Sequence, residues 1–124
     1  MPIKWSLDAQ SRVVQFVWED PYTFDEWRLA MSDVLKHPSY RPGYRFLVDR
    51  REATAPPSAF IAHLTDFLES HRTEVQGARA ALIARDDAGF GMARMTELAT
   101  MGRIPSIAVR VFRDPAEAEG WLNS

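Results

Sequence analysis

Apolar and polar residues alternate at the start of the chain. The apolar positions are Ile3, Trp5 and Leu7 and then, after a polar run, Val14, Phe16 and Trp18. A period of two is typical of β-strands, and a short polar run between two such segments predicts an antiparallel hairpin. Val13 and Val17 make the second strand apolar on both sides, so we expect it inside a sheet, with the first strand nearer an edge.

Two helices are predicted from start signals and apolar spacing. Thr23 and Glu26 have the spacing of a capping box, so a helix begins there, and it ends near His37 because a proline follows. The second helix follows Pro56 and Pro57 and has the strongest helical signal in the chain. Its apolar residues recur on one face: Phe60, Ile61, Leu64, Phe67 and Leu68.

Glycine and proline mark the last two predicted helices. Gly89 to Gly91 lead into the third helix, whose region carries the apolar residues Phe90, Met92, Met95, Leu98, Ala99 and Met101. The methionines either line an adaptable apolar pocket, since thioethers repack easily, or fill the core, which is the more common use of such a stripe. Asp114 and Pro115 have the N-cap and first-turn roles that start a short final helix.

Short apolar runs between the helices predict the remaining strands, at Tyr44 to Val48, Ala80 to Ala84 and Ile107 to Phe112. The order is then ββαβαβαβα, with neither an internal repeat nor a long linker, so residues 1–124 form a single domain. Strands that alternate with helices require right-handed crossovers. The predicted fold class is α/β, with a mixed, mostly parallel sheet of about five strands flanked by helices on both faces.

The composition argues against several classes of protein. The 124 residues include no cysteine, so a disulfide framework and a thiolate metal site are excluded. No apolar run reaches about 20 residues, so an integral membrane protein is not expected. Nothing at the start resembles an export signal, and the expected location is the cytoplasm. The net charge of −2 gives no general attraction to nucleic acid.

No motif in the chain indicates a particular catalytic chemistry. The sequence lacks a nucleophile elbow, a zinc-binding helix motif and a phosphate-binding loop. His63 and Asp66 lie one turn apart on the second helix, but without a further ligand a solvated face is the simpler interpretation. The Gly89 to Gly91 segment either presents backbone NH groups to an anion or simply makes a tight turn. No cofactor and no metal site are predicted.

Arginines follow the predicted parallel strands at Arg50, Arg51, Arg85 and Arg113. The carboxyl ends of parallel strands meet at one rim of a sheet, where open α/β sheets bind ligands. Together with Ser58 at the start of the second helix, these residues are the predicted ligand-binding set, and Arg51 is the one expected to capture an anionic group. The alternative is that neighbouring aspartates neutralise the rim through exposed ion pairs.

Three segments together resemble the SpoIIAA-like family, which is related to STAS domains. They are FLVDRR at Phe46 to Arg51, AFIAHLTDFLESH at Ala59 to His71 and VFRDPAEAEGWL at Val111 to Leu122. The resemblance covers essentially the whole chain. It implies a mixed sheet flanked by helices, frequent homodimers and a role that is mostly unassigned, with binding of a lipid or another small molecule as one suggestion.

The related anti-sigma factor antagonists carry Asp-Ser-Ser-Gly or a close variant after the corresponding strand, and a partner kinase phosphorylates a serine there. The loop of this chain reads Ala-Pro-Pro-Ser-Ala-Phe over positions 55–60. Ser58 falls near the acceptor position, but the preceding Asp and the following Gly are missing, which argues against kinase-controlled partner switching.

These observations support a leading hypothesis and two rivals. The leading one is a non-enzymatic domain that binds an apolar or anionic, lipid-like small molecule at the sheet rim. The second is a STAS-type protein-interaction module whose partner surface spans Thr54 to Phe67, and the third is an enzyme of unrecognised type. The resemblance and the four tryptophans of so short a chain also favour a homodimer.

Overall fold

The computed structural model describes residues 2–124, which form one five-stranded sheet and four helices. The strands are β1 (Ile3–Asp8), β2 (Val13–Glu19), β3 (Arg45–Glu52), β4 (Arg79–Ile83) and β5 (Ala108–Phe112). They lie in the order β1-β2-β3-β4-β5, with β1 and β2 antiparallel and the other neighbours parallel. The helices are α1 (Phe24–Lys36), α2 (Ser58–Ser70), α3 (Asp87–Arg103) and α4 (Pro115–Leu122). The predicted fold class and element order are confirmed.

Three helices cover the same face of the sheet, which we call the inner face. Each of the crossovers through α1, α2 and α3 advances one strand in the same direction, and right-handed crossovers then place their helices on one side. The main core lies in this layer and includes Val14, Val34, Phe46, Leu64 and Ala93.

Only α4 packs on the opposite, outer face. Ala118 and Leu122 of α4 meet Ala81 and Ile83 of β4 in a second, smaller cluster. Beside it the outer face is open, as the 37% exposure of Val17 on β2 shows. The prediction that helices cover both faces is therefore correct only for the half of the sheet beneath α4.

The first two helices form as the sequence predicts. In α1, the Thr23 hydroxyl accepts from the Glu26 backbone NH at 3.1 Å, and the Glu26 carboxylate accepts from the Thr23 NH at 2.9 Å. These bonds satisfy backbone donors that a helix start leaves free. In α2, the predicted apolar face is the buried one, through Phe60, Ile61 and Leu64.

The third helix contradicts its predicted apolar stripe. Its buried residues are Ala93, Thr96, Glu97 and Thr100, whereas Met95, Leu98 and Met101 are 46%, 54% and 61% exposed. The threonine hydroxyls are satisfied within the helix, because Thr96 donates to Met92 O at 3.1 Å and Thr100 to Thr96 O at 2.9 Å. Small, internally satisfied residues thus face the sheet, and Met95 and Met101 neither line a pocket nor fill the core.

Glu97 connects α3 to the free edge of β5. Its carboxylate pairs with Arg94 and accepts a hydrogen bond from the Val111 backbone NH at 3.3 Å. On the side of β5 that faces β4, the Ala108 NH donates to Ala78 O and the Phe112 O accepts from the Ala84 NH. Because backbone groups alternate in direction along a strand, the Val111 NH points away from β4, toward the open edge.

The tryptophans are better buried than the dimer argument assumes. Trp18 and Trp27 are 3% and 6% exposed, and Trp5 and Trp121 are half-buried. The homodimer stays a prediction. In addition, no helix within residues 2–124 has the length and apolar character needed to cross a bilayer.

Candidate functional site

A cavity of about 80 Å³ lies in the main core between the inner face of the sheet and the three helices above it. Its walls are almost entirely apolar. The sheet contributes Phe16, Trp18, Phe46, Val48, Ala80, Leu82 and Val109, and the helices contribute Trp27, Met31, Leu64, Leu68, Thr96 and Thr100. Protein cores usually hold few voids larger than one water molecule, so this cavity is a specific feature of the layer.

Arg50 lines one end of the cavity. The strand β3 extends to Glu52, beyond the apolar run that ends at Val48, so the residues after Val48 still alternate between the two faces. Arg50 therefore points to the inner face like Val48, while Asp49 and Arg51 point to the outer face. The Arg50 residue is only 7% exposed, and its guanidinium carbon lies 4.9 Å from the centre of the Trp18 ring.

The buried guanidinium of Arg50 has no counter-ion. Within the described part of the chain, no carboxylate forms an ion pair with it. Burial lowers the pKa of Arg50, and the Tyr22 hydroxyl, which lies within hydrogen-bonding reach of the guanidinium, partly offsets that shift. That hydroxyl donates its own proton to Thr54 O at 2.7 Å. Arginine nevertheless remains protonated in proteins, so a positive charge stands at the end of an apolar cavity.

Trp18 supplies a second free donor at this end. It is 3% exposed, and its indole Nε1 is a buried polar atom without a hydrogen-bond partner among residues 2–124. Its ring packs against Tyr22 at 5.2 Å and Phe60 at 5.5 Å between centroids. A buried indole NH normally finds a partner, so the Trp18 ring that lies beneath Arg50 carries a donor without an acceptor.

The sheet rim brings three of the predicted ligand-binding residues together. Arg50, Arg51 and Arg85 line a small pocket of about 10 Å³ with Thr54 and Gly89. This volume holds roughly one water molecule. Because Arg50 lines both the rim pocket and the interior cavity, it marks the point where the two adjoin.

Arg51, the residue predicted to capture an anion, is already engaged. Its Nε donates to Asp49 Oδ1 at 3.0 Å and its terminal nitrogen to Oδ2 at 2.8 Å, in a bidentate pair on the outer face. The hydrogen bond from Arg51 lowers the pKa of Asp49. Asp49, two residues earlier in the strand, thus neutralises Arg51 on the outer face.

The other two predicted residues lie apart from the rim pocket. Arg113 pairs with Asp87 at 2.6 Å and lies over the Phe90 ring at 4.7 Å. Ser58 is the exposed first residue of α2, next to Pro57 at the N-cap, and it lines neither the cavity nor the rim pocket.

No group of three or more histidine and carboxylate side chains that could hold a metal ion occurs among residues 2–124. Asp66, which the sequence places one turn from His63, instead pairs with Arg103 at 2.8 Å.

Sequence reasoning missed the interior cavity and the role of Trp18 in it. The alternation of β2 and β3 carried part of the signal, because Trp18 and Arg50 continue the inward series of each strand. Comparison with family models, with curated proteins and with solved structures finds no match for this chain. The fold and site define a mixed α/β domain with an apolar interior cavity that ends at a buried arginine.

Proposed function

We propose that this protein binds a small amphipathic anion, with its apolar part in the interior cavity and its charged group against Arg50. The observation that carries the proposal is a buried guanidinium without a counter-ion at the end of an apolar cavity. Removing a charge from water costs several kcal/mol even after the protein relaxes. A fold tolerates that cost most readily where a ligand completes the charge pair.

The other polar groups of the cavity are also compatible with an anionic ligand. The free indole NH of Trp18 is a donor, as an anion requires, and the Thr96 and Thr100 hydroxyls are occupied by helix carbonyls. The resemblance to the SpoIIAA-like family, for which small-molecule binding is one suggestion, points the same way. The proposal keeps the predicted class of ligand and moves its position from the exposed rim to the interior.

The test compares two neighbouring arginines that face opposite sides of the sheet. Hexanoate and cyclopentanecarboxylate, two small anionic probes of different shape, are titrated into delipidated protein by calorimetry, with hexanol as the uncharged control. Arg50→Met should weaken binding of the anions by about 1.5–3 kcal/mol, the usual contribution of a charged hydrogen bond, and leave hexanol binding unchanged.

The matched control is Arg51→Met, because Arg51 is one residue away but pairs with Asp49 on the outer face. It should leave all three affinities unchanged. If neither anion binds, or if both variants lose affinity equally, the protein does not use Arg50 as an anion site and the proposal fails.

A further inference from the structure

The side of α3 that faces solvent carries an apolar stripe. Met95, Leu98 and Met101 are 46%, 54% and 61% exposed, and exposed glycines lie at the two ends, at Gly91 and Gly102. Positions three and four apart are neighbours on a helix surface, so these five residues, which we call the α3 stripe, lie together. Large apolar side chains that cluster on an exposed surface mark an interaction site more often than single ones do.

The two glycines of the α3 stripe have no steric reason within the protomer. A Cβ atom added at Gly91 or Gly102 would meet no atom within 4 Å outside its chain neighbours and the backbone of α3 itself, and neither residue has a positive φ. By contrast, a Cβ at Gly89 would lie 3.0 Å from Asp86 Oδ1, so the start of the helix requires that glycine. Glycine destabilises a helix interior relative to alanine, but it lets another backbone approach closely.

The α3 stripe presents the same order of small and large residues from either end. Gly91, Met95, Leu98 and Gly102 follow one another at intervals of four, three and four positions. A second, antiparallel α3 related by a two-fold axis through the middle of the stripe places Gly91 against Gly102 of the second copy. The same axis places Met95 against Leu98 of the second copy. Each pair then occurs twice, as an isologous interface requires, so the stripe is complementary to itself.

The charges beside the α3 stripe favour a second copy of the chain over a lipid surface. Arg94 is the exposed charged residue of α3 between positions 91 and 102, and Glu97 neutralises it. Arg103, at the end of the helix, pairs with carboxylates of α2 at 2.7 and 2.8 Å. An anionic bilayer attracts helices that carry free lysines and arginines, whereas both arginines here are paired. Two copies can therefore meet at this surface without strong repulsion between like charges.

We propose that two copies of this chain associate through the α3 stripe, with the two helices antiparallel and the glycines at the closest approach. The exposed parts of the three apolar side chains amount to roughly 300 Å² per copy, compared with about 800 Å² per partner in a standard stable interface. The dimer is therefore weak and forms at high protein concentration. It gives the homodimer expected from the sequence an interface that does not involve the tryptophans, and it is independent of the Arg50 site.

Sedimentation velocity over a range of protein concentrations measures the association. From about 5 to about 500 μM, which brackets weak affinities, the average mass of the wild type should rise from 14.1 kDa towards twice that value. Leu98→Glu places two carboxylates near the two-fold axis and should weaken the association at least tenfold. The matched control is Leu29→Glu on α1, because both leucines are 54% exposed, and it should associate like the wild type.

A second variant tests the role of the glycines. Gly91→Gln adds a side chain in the space that the closest approach of the two helices needs, so it should also weaken the association at least tenfold. Glutamine is a better helix former than glycine, so the melting temperature of the dilute, monomeric protein should stay the same or rise. A lower melting temperature would instead show that Gly91 serves the fold of the protomer.

Disulfide cross-linking tests the direction of the two helices. The chain has no cysteine, so single-cysteine variants each report one contact. In the antiparallel dimer, Gly91→Cys is level with Gly102→Cys of the second copy, whereas two copies of Gly91→Cys are about 16 Å apart along the helix axis. A disulfide requires Cα atoms within about 7 Å. Oxidation of an equimolar mixture should therefore give the mixed disulfide, and either variant alone should give little product.

Several results would overturn this interface. The proposal is wrong if the wild type keeps a mass of 14.1 kDa throughout, or if Leu98→Glu associates as well as Leu29→Glu does. Binding of the wild type, but not of Leu98→Glu, to vesicles of phosphatidylcholine and phosphatidylglycerol would assign the α3 stripe to a lipid surface instead. A disulfide between two copies of Gly91→Cys would show parallel helices. If Leu98→Glu does not fold, Gly91→Gln and the cross-linking decide the question.

Discussion

The two faces of the sheet use arginine in opposite ways. On the outer face, Arg45 donates to Leu122 O at 3.2 Å and to Asn123 Oδ1 at 2.8 Å, and Arg79 donates to the backbone oxygens of Trp121 and Ser124, each at 3.0 Å. On the inner face, Arg50 is buried without any counter-ion.

The difference separates a structural use of arginine from a binding use. The outer arginines hold the end of α4, where the last carbonyls of a helix lack partners and favour positive charge. Both arginines donate to acceptors within the chain. Arg50 has the same chemistry in a more costly environment, and in the proposed complex the ligand supplies its counter-ion.

The largest effect on stability is expected on the outer face. Arg79→Met removes the hydrogen bonds to Trp121 and Ser124 and the contact with the Trp121 ring at 4.6 Å. The free energy of unfolding should fall by about 2 kcal/mol, as for other hydrogen bonds to charged groups, in urea denaturation. Arg85→Met, at an exposed position, should stay within about 0.5 kcal/mol of the wild type. Equal losses in the two variants would contradict the structural role of Arg79.

The inner face should respond with the opposite sign. In ligand-free protein, Arg50→Met should raise the free energy of unfolding by about 1 kcal/mol, because the desolvation cost that disappears exceeds the lost contact with Trp18. With hexanoate at about 100 times its dissociation constant, the wild type gains about 2.7 kcal/mol and becomes the more stable protein. Thermal or urea unfolding with and without hexanoate measures this reversal. A loss of stability in the ligand-free variant would instead identify Arg50 as structural.

The smallest effect concerns the pair of Asp49 and Arg51. The hydrogen bond from Arg51 lowers the pKa of Asp49 in the folded state, so the pair stabilises the protein above the unfolded pKa of about 3.9 and stops doing so as the pH falls through the folded pKa. Because both side chains are partly exposed, the contribution should be at most about 0.5 kcal/mol. The difference in unfolding free energy between the wild type and Arg51→Met should therefore be measurable at pH 7 and vanish near pH 2. A difference independent of pH would rule out this pair as its source.

The sequence was sufficient to predict the order of the elements and the class of sheet, because hydrophobic period and capping residues are local signals. The end of β3 could not be predicted in this way, because no local signal marks it. The apolar run stops at Val48, but Asp49 and Glu52 still pair with β2 and the strand continues to Glu52. This extension places Arg50 and Arg51 on opposite faces, whereas the sequence pattern alone assigned both to one rim.

The error in α3 has a different origin. Hydrophobic spacing predicts the buried face of a helix only when the packing partner needs bulky side chains. Beneath α3 lies the cavity, which Thr96 and Thr100 line with small side chains. Their hydroxyls bond to carbonyls of the same helix, so the polar residues face inward and the larger apolar ones face solvent. Neither effect is visible without the tertiary structure.

Glu97 has a consequence for the behaviour of the protein at high concentration. A sheet with an open edge offers its free backbone groups to the edge of another molecule, which is a route to ordered aggregates. By occupying the Val111 NH, the Glu97 carboxylate removes one donor from that edge and places a negative charge beside it. A second strand that approached β5 would have to displace this carboxylate, so the residue discourages the growth of an intermolecular sheet.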